Sequence, residues 1–220
     1  MNALHLEGKT PDFLSGFWKE SRKMETKKVP NHSLQIIQLL FDKLNTFAKK
    51  TMTPKHPIDS LTILTDLVLP SETNPLNNLF GGELLARMDR AASIAARRHS
   101  RRIVVTASVN HVAFNRSIPL GSVVTIEAKI SRAFSTSMEI FLDVWIEDRE
   151  SGTKMKANEA IYTFVAVNET GNPVEVPQLV PETEEEKSRF DAALRRKQLS
   201  LVLAGKMNPH DATELKALFM

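Results

Sequence analysis

Between Gly81 and His99 the chain carries a stretch that suits only a helix buried over most of its circumference. Two glycines open it. At about 100° per residue, Leu84, Leu85, Met88, Ala91, Ala92, Ala95 and Ala96 cover most of its surface. Glu83, Arg87, Arg90 and Arg97 fall in one narrow stripe, the expected edge toward water. Asp89 stands about 120° from that stripe, on the side of Gly82, Leu85 and Ala96. A carboxylate there is paired, neutralised or used. A structural acid and a functional one fit the spacing equally. The glycine pair reads either as a tight turn or as free N–H groups at a helix start, able to hold a developing negative oxygen. Gly82 and Asp89 lie about 10 Å apart along the axis. One reacting carbon can meet both only if they come from two subunits.

Around this helix the pattern is that of strands. Leu61 to Leu69 reads as a first strand ended by Pro70, followed by the polar loop from Ser71 to Asn78. After the helix come Ile103 to Phe114, Ser122 to Phe134, Ser137 to Glu147 and Lys154 to Val167, separated by Pro- and Gly-containing turns. Ile140, Leu142, Val144 and Ile146 alternate with Glu139, Phe141, Asp143 and Trp145, as in a sheet with one face more buried. One strand, one helix and four antiparallel strands make an α+β plan. The simplest version wraps the sheet around the helix and pairs an edge strand with a second copy.

Extensions flank this core. Residues 1–57 form an N-terminal extension in which Ser33 caps an amphipathic helix to about Lys50, and Thr53 to Pro57 reads as a linker. Residues 58–180 form the domain. Residues 181–220 form a helical C-terminal extension, with Thr183 and Glu186 as a capping box and Arg195-Arg196-Lys197 toward the helix end. That helix is expected to be solvated or to lie between subunits. The absence of cysteine among 220 residues excludes a disulfide framework and thiol nucleophiles. No stretch reads as a secretory signal or a membrane span, so a cytoplasmic location without membrane insertion is expected. A net charge of +3 suits a small anionic partner better than bulk nucleic acid. No His, Asp or Glu cluster has convincing metal-ligand spacing.

In order along the chain, Leu69-Pro70-Ser71-Glu72-Thr73-Asn74, Phe80-Gly81-Gly82 through Met88-Asp89, and Val104-Val105-Thr106-Ala107-Ser108-Val109 resemble the hot-dog-fold acyl-CoA thioesterases. Phe114, Ile118 through Val124, Thr136-Ser137-Met138 and Tyr162 through Val167 continue the likeness, which covers about residues 60–177. The resemblance implies a hot-dog domain that hydrolyses fatty acyl-CoA to free acid and CoA, with CoA as part of the substrate and no separate cofactor. It implies a homo-oligomer, at least a dimer, with a trimer of dimers as the expected assembly and the active site at the dimer interface. Gly82, with Gly81 beside it, would donate N–H to the thioester oxygen. Asp89 would act as base or nucleophile, and Asn74 would position water or carbonyl in the facing subunit. Asn78 matches a position that varies between Asn and Asp. Ser135, Thr136 and Ser137 match the CoA-binding turn, although Ser135 stands where many relatives have arginine. Arg132 or Lys129 would have to replace that contact, and Arg116 is the better phosphate ligand. Asn77 replaces a common glycine. An acyl-CoA-binding protein without turnover is the alternative reading, and a hydratase fits less well because no histidine falls in the pocket motif. Arg97-Arg98-His99-Ser100-Arg101-Arg102 raises nucleic-acid binding, but positive charge also suits a helix C-terminus.

Overall fold

A computed structural model describes residues 52–219, so the helix expected over residues 33–50 lies outside the described residues. Strand β1 (Thr62–Leu67) precedes helix α1 (Gly81–Ser100), and β2 (Ile103–Ala113), β3 (Val123–Ala133), β4 (Ser137–Glu147) and β5 (Lys154–Val167) follow. All neighbours are antiparallel in the order β1-β3-β4-β5-β2. Helix α1 touches every strand of the sheet. This is the wrapped-helix arrangement that the strand pattern suggested, and the hot-dog fold that the resemblance implied. Helices α2 (Glu184–Leu203) and α3 (Thr213–Lys216) complete the described chain. Lys55, in the stretch read as a linker, pairs with Leu179 and exchanges backbone hydrogen bonds with Gln178 and Val180.

Small side chains let the sheet close on α1. Ala91, Ala92, Ala95 and Ala96 are wholly buried, as is Met88. Full burial of a side chain the size of Met88 contributes roughly 1.5–3 kcal/mol. Ile140, Leu142 and Val144 of β4 are also fully buried, as the alternation required.

Two expectations about charge are corrected. Arg87 does not face water; it is 4% exposed. Its Nη2 donates to both carboxylate oxygens of Glu72 at 2.8 and 2.7 Å and to the Leu67 carbonyl at 3.1 Å. Helix periodicity groups Arg87 with the surface charges, but the loop after β1 folds over that side and supplies the counter-ion. Likewise, α2 is neither free in solvent nor unattached. It docks on the outer face of the sheet, where Arg196 forks onto Glu139 at 3.0 and 2.7 Å and Arg189 reaches Asp143 at 3.0 Å. Glu139 and Asp143 are therefore buried despite their polar place in the alternation.

The Glu72–Arg87 pair fastens the loop that carries Asn74 onto α1. Glu72 also accepts from the Leu69 amide at 2.9 Å, and that bond, then Arg87, holds its carboxyl below its ordinary pKa. A depressed acid stabilises the fold at neutral pH, and the contribution is lost as pH falls through the carboxylate range. Glu72→Gln should therefore cost about 2 kcal/mol in urea unfolding at pH 7, because it leaves the buried Arg87 guanidinium with only the exposed Asp66 carboxylate at 3.6 Å and the Leu67 carbonyl. The difference from wild type should shrink on acidification.

Candidate active site

Helix α1 begins without a side-chain cap, and its first intrahelical bond runs from Leu84 N to the Phe80 carbonyl at 3.1 Å. The N–H groups of Gly81, Gly82 and Glu83 are thus left for other acceptors. Gly82 is exposed. A Cβ on Gly81 would meet the Phe114 ring at 3.6 Å, and one on Gly82 the Phe80 ring at 3.4 Å. Glycine here keeps the backbone within reach of a ligand.

The preceding loop is a self-bonded turn. Asn74 Oδ1 accepts from Leu76 N at 2.9 Å and Asn78 N at 3.2 Å, and Asn74 N donates to the Asn78 carbonyl at 2.8 Å. The Asn74 carboxamide nitrogen has no acceptor among the described residues, so its two N–H groups can point to a substrate. Asn78 contributes backbone to this turn and bridges to Pro119. Asn77 has φ 56°, a left-handed conformation that asparagine adopts more readily than most residues. That explains how it can occupy a glycine position.

Two turns further along α1, Asp89 is half-buried and accepts a 2.8 Å hydrogen bond from Thr106 Oγ1 on β2. Its other oxygen is unbonded among the described residues. The pairing of β2 with β5 is irregular between Thr106 and Ser108 and again between Val109 and His111, a local kink of the kind that re-aims side chains beside active sites. Asp89 borders an open cleft of about 530 Å³ whose walls are Leu85, Ala86, Val109, Val112, Phe114 and Tyr162. Tyr162 donates from its hydroxyl to the Leu85 carbonyl at 3.2 Å. Burial, and secondarily the charge of Asp89, push its phenol up to about 12.

One chain does not bring the expected residues together. Asp89 borders the cleft, whereas Gly82 and Asn74 are not among its walls. Arg116 is exposed beyond the end of β2, and its backbone is held by Asn158. Arg132 is not displayed to a ligand: its guanidinium stacks on Phe190 of α2, 3.9 Å from the ring centre, and donates to the Phe190 carbonyl at 2.9 Å. The turn at Ser135, Thr136 and Ser137 joins β3 to β4, where the backbones of Ser135 and Thr136 accept from Val176 and Ala166. Lys197 of α2 reaches Ser137 Oγ at 3.5 Å. Thr106 and Tyr162 carry no signal of their own in the sequence. Both lie within matched segments, but only the meeting of β2 and β5 with α1 brings them to Asp89. His99 is a core residue whose Nε2 bonds the Pro177 carbonyl at 2.8 Å.

Because Tyr162 is the single tyrosine of the chain, its ionisation is directly readable by absorbance. The folded protein should show a phenol midpoint near 12. Asp89→Asn should move that midpoint down by removing the neighbouring negative charge.

Residues 76–153 match the family model described as the thioesterase superfamily. A Bacillus subtilis protein named as an uncharacterised acyl-CoA thioester hydrolase is 41% identical over 138 residues, 63% of this chain and 80% of that protein. Longer mouse and rat acyl-CoA thioesterases also match, but the shared region spans 24% and 35% of their lengths. A solved apo-hexameric acyl-CoA thioesterase superposes with a TM-score of 0.67 at 37% identity, covering 70% of this chain and 98% of that one. An acyl-CoA hydrolase of Staphylococcus aureus, solved with butyryl-CoA and CoA, gives 0.66 at 30% identity over 76% of this chain and 99% of that one. Alanine variants of that enzyme at an asparagine, an aspartate and a threonine have also been solved, and their positions are spaced along the chain as Asn74, Asp89 and Thr106 are here.

Proposed function

The chain belongs to the acyl-CoA thioester hydrolases of the hot-dog fold, and we propose that it hydrolyses fatty acyl-CoA to free fatty acid and CoA at sites shared between two copies. The observation that carries this reading is Asp89: a carboxylate fixed by Thr106 at the edge of an apolar cleft, with one oxygen open to a ligand. The thioester carbonyl sits against Gly82 N–H of one copy, where fixed donors polarise it without reorganisation. Asp89 of the other copy works from the opposite side as base for water or as nucleophile. Asn74 orients the water or carbonyl through its free carboxamide N–H, and Asn78 holds the turn. Thr106 keeps Asp89 in one rotamer. In the base route, water adds to the carbonyl carbon and the C–S bond breaks. The proton collected by Asp89 passes to the departing CoA thiolate.

Two copies are needed because the groups lie about 10 Å apart along one helix. Strand β2 offers the surface for pairing. It is one of the two edges of the sheet, the one next to Asp89, with Ile103, Val105 and Val109 exposed, and such an edge is a template for another strand. A trimer of such dimers is the proposed assembly, supported by the hexameric state of several similar thioesterases. A cytoplasmic site of action is proposed by analogy with the cytosolic thioester hydrolase of rat. Among the described residues no helix is long and apolar enough to cross a membrane.

Asp89→Ala and Asp89→Asn should lower kcat/KM on a panel of acyl-CoAs by about 100- to 10,000-fold, the usual range for a lost general base, with assembly state unchanged. Thiol release followed by a trapping reagent reads this directly. Near-wild-type rates in both variants would remove Asp89 from the chemistry. Saturable acyl-CoA binding by wild type without thiol release would favour the non-catalytic alternative.

A further inference from the structure

The outer face of the sheet holds another cavity, of about 340 Å³, roofed by the first turns of α2. Its floor comes from β3, β4 and β5, with Pro57 and Thr183 at its margin, and it shares no wall with the cleft at Asp89. Most charges around it already have partners. Lys156 meets Asp143 and Glu159 at 2.7 Å, while Arg189 meets Asp143 at 3.0 Å and Glu185 at 2.6 Å. Two charges stand apart. Glu127 and Lys129 are half-buried, and neither has a hydrogen-bond or ion-pair partner among the described residues. We propose that this cavity binds a free α-amino acid with an apolar side chain, its ammonium on Glu127 and its carboxylate on Lys129. The proposal goes beyond the hydrolase reading and does not depend on it.

The ordinary explanation, a pair of solvated strand charges, leaves their geometry unexplained. Residues two apart on one strand share a face at about 6.6 Å, close enough for long side chains to meet. Here they do not meet. Each keeps its charge in a partly enclosed place, where an opposite charge is worth more than in bulk water. A zwitterion supplies both counter-charges at once, because its ammonium and carboxylate sit on one carbon. Trp145 adds a second observation. Its Nε1 is buried and has no hydrogen-bond partner among the described residues, whereas a buried indole N–H ordinarily has one. The cavity is the open volume beside this ring, so a polar ligand there supplies the missing acceptor.

Charge and size select the ligand. Four wall carboxylates, Glu127, Asp143, Glu185 and Glu186, face three cations, Lys129, Lys156 and Arg189. A nucleotide or a fatty acid brings only negative charge to that balance. A simple amine answers Glu127 and leaves Lys129 alone. An α-amino acid answers both and stays neutral overall. Its side chain meets the aromatic part of the lining, Phe141 and Trp145. Arg189 already lies on the Phe141 ring, 3.8 Å from its centre, so the indole is the freer surface. The volume falls at the small end of the range for ligand pockets, about 300–1,000 Å³, and suits one amino acid. A ligand seated here touches β3 and α2 together, and should raise Tm by binding only the folded chain.

The test uses the full chain carrying Trp18→Phe, which leaves Trp145 as its one tryptophan. Leucine and phenylalanine are titrated at millimolar concentrations, followed by tryptophan emission and by calorimetry. At least one of them should change the emission saturably. N-acetyl-leucine, which lacks the ammonium, and leucinamide, which lacks the carboxylate, should bind about ten-fold or more weakly than leucine. Glu127→Gln should weaken leucine and leucinamide but leave N-acetyl-leucine unchanged. Lys129→Gln should weaken leucine and N-acetyl-leucine but leave leucinamide unchanged. No saturable signal by either method with either amino acid overturns the site. So does binding that neither substitution weakens. If both variants misfold, the analogues decide on the unsubstituted pocket: equal affinity for leucine and its two derivatives overturns the proposal. Tighter binding of ATP or a fatty acid, lost in Lys129→Gln, would assign the cavity to an anion and overturn it as well.

Discussion

Helix α1 carries an electrophilic end and an acid on one rigid rod, and the rod's rise of about 1.5 Å per residue keeps Gly82 and Asp89 about 10 Å apart. No rotamer closes that gap, because one group is backbone. The rest of the site follows from it. In the proposed chemistry a second copy brings its own α1 alongside, and the unpaired edge of β2 offers the place. The strand next to the acid is also an edge strand, so Thr106 can hold Asp89 while the same segment forms one margin of the sheet.

The surrounding packing keeps that rod in place. Alanines on α1 let five strands approach closely, and Tyr162 fixes β5 to the helix through the Leu85 carbonyl. Glu72 and Arg87 tie the Asn74 turn to the same helix, so the turn and Asp89 share one support. At the far end Lys55 and the left-handed Arg101 (φ 54°) finish the helix. The outer face of the sheet is closed by α2, through Glu139–Arg196 and Asp143–Arg189.

Much of this architecture was readable from local pattern. The bounds of β4 and β5, the long buried helix and the Thr183 capping box, seen as Glu186 N donating to Thr183 Oγ1 at 3.2 Å, all follow from periodicity and capping chemistry. Arg87 was misplaced because angular position on a helix says nothing about which loop covers it. Glu139 and Asp143 looked solvent-facing because alternation cannot anticipate arginines some 50 residues later in the chain. Arg132 looked free for phosphate until Phe190 covered it. Thr106 and Tyr162 are ordinary strand residues in sequence, and only tertiary contact with α1 gives them a role. Asp89 and the glycine pair stood out because a carboxylate and free N–H groups on a buried helix conflict with local economy, a conflict that tends to mark functional sites.

Subunit complementation tests the shared site most directly. Asp89→Ala and Asn74→Ala proteins, each inactive alone, are dissociated, mixed and reassembled. If the acid and the asparagine serve one substrate from different copies, each mixed dimer keeps one intact site, and activity returns to about a quarter of wild type for random two-fold pairing. If both act within one chain, every site in the mixture carries a lesion, and the absence of any recovery in properly reassembled protein would contradict the account.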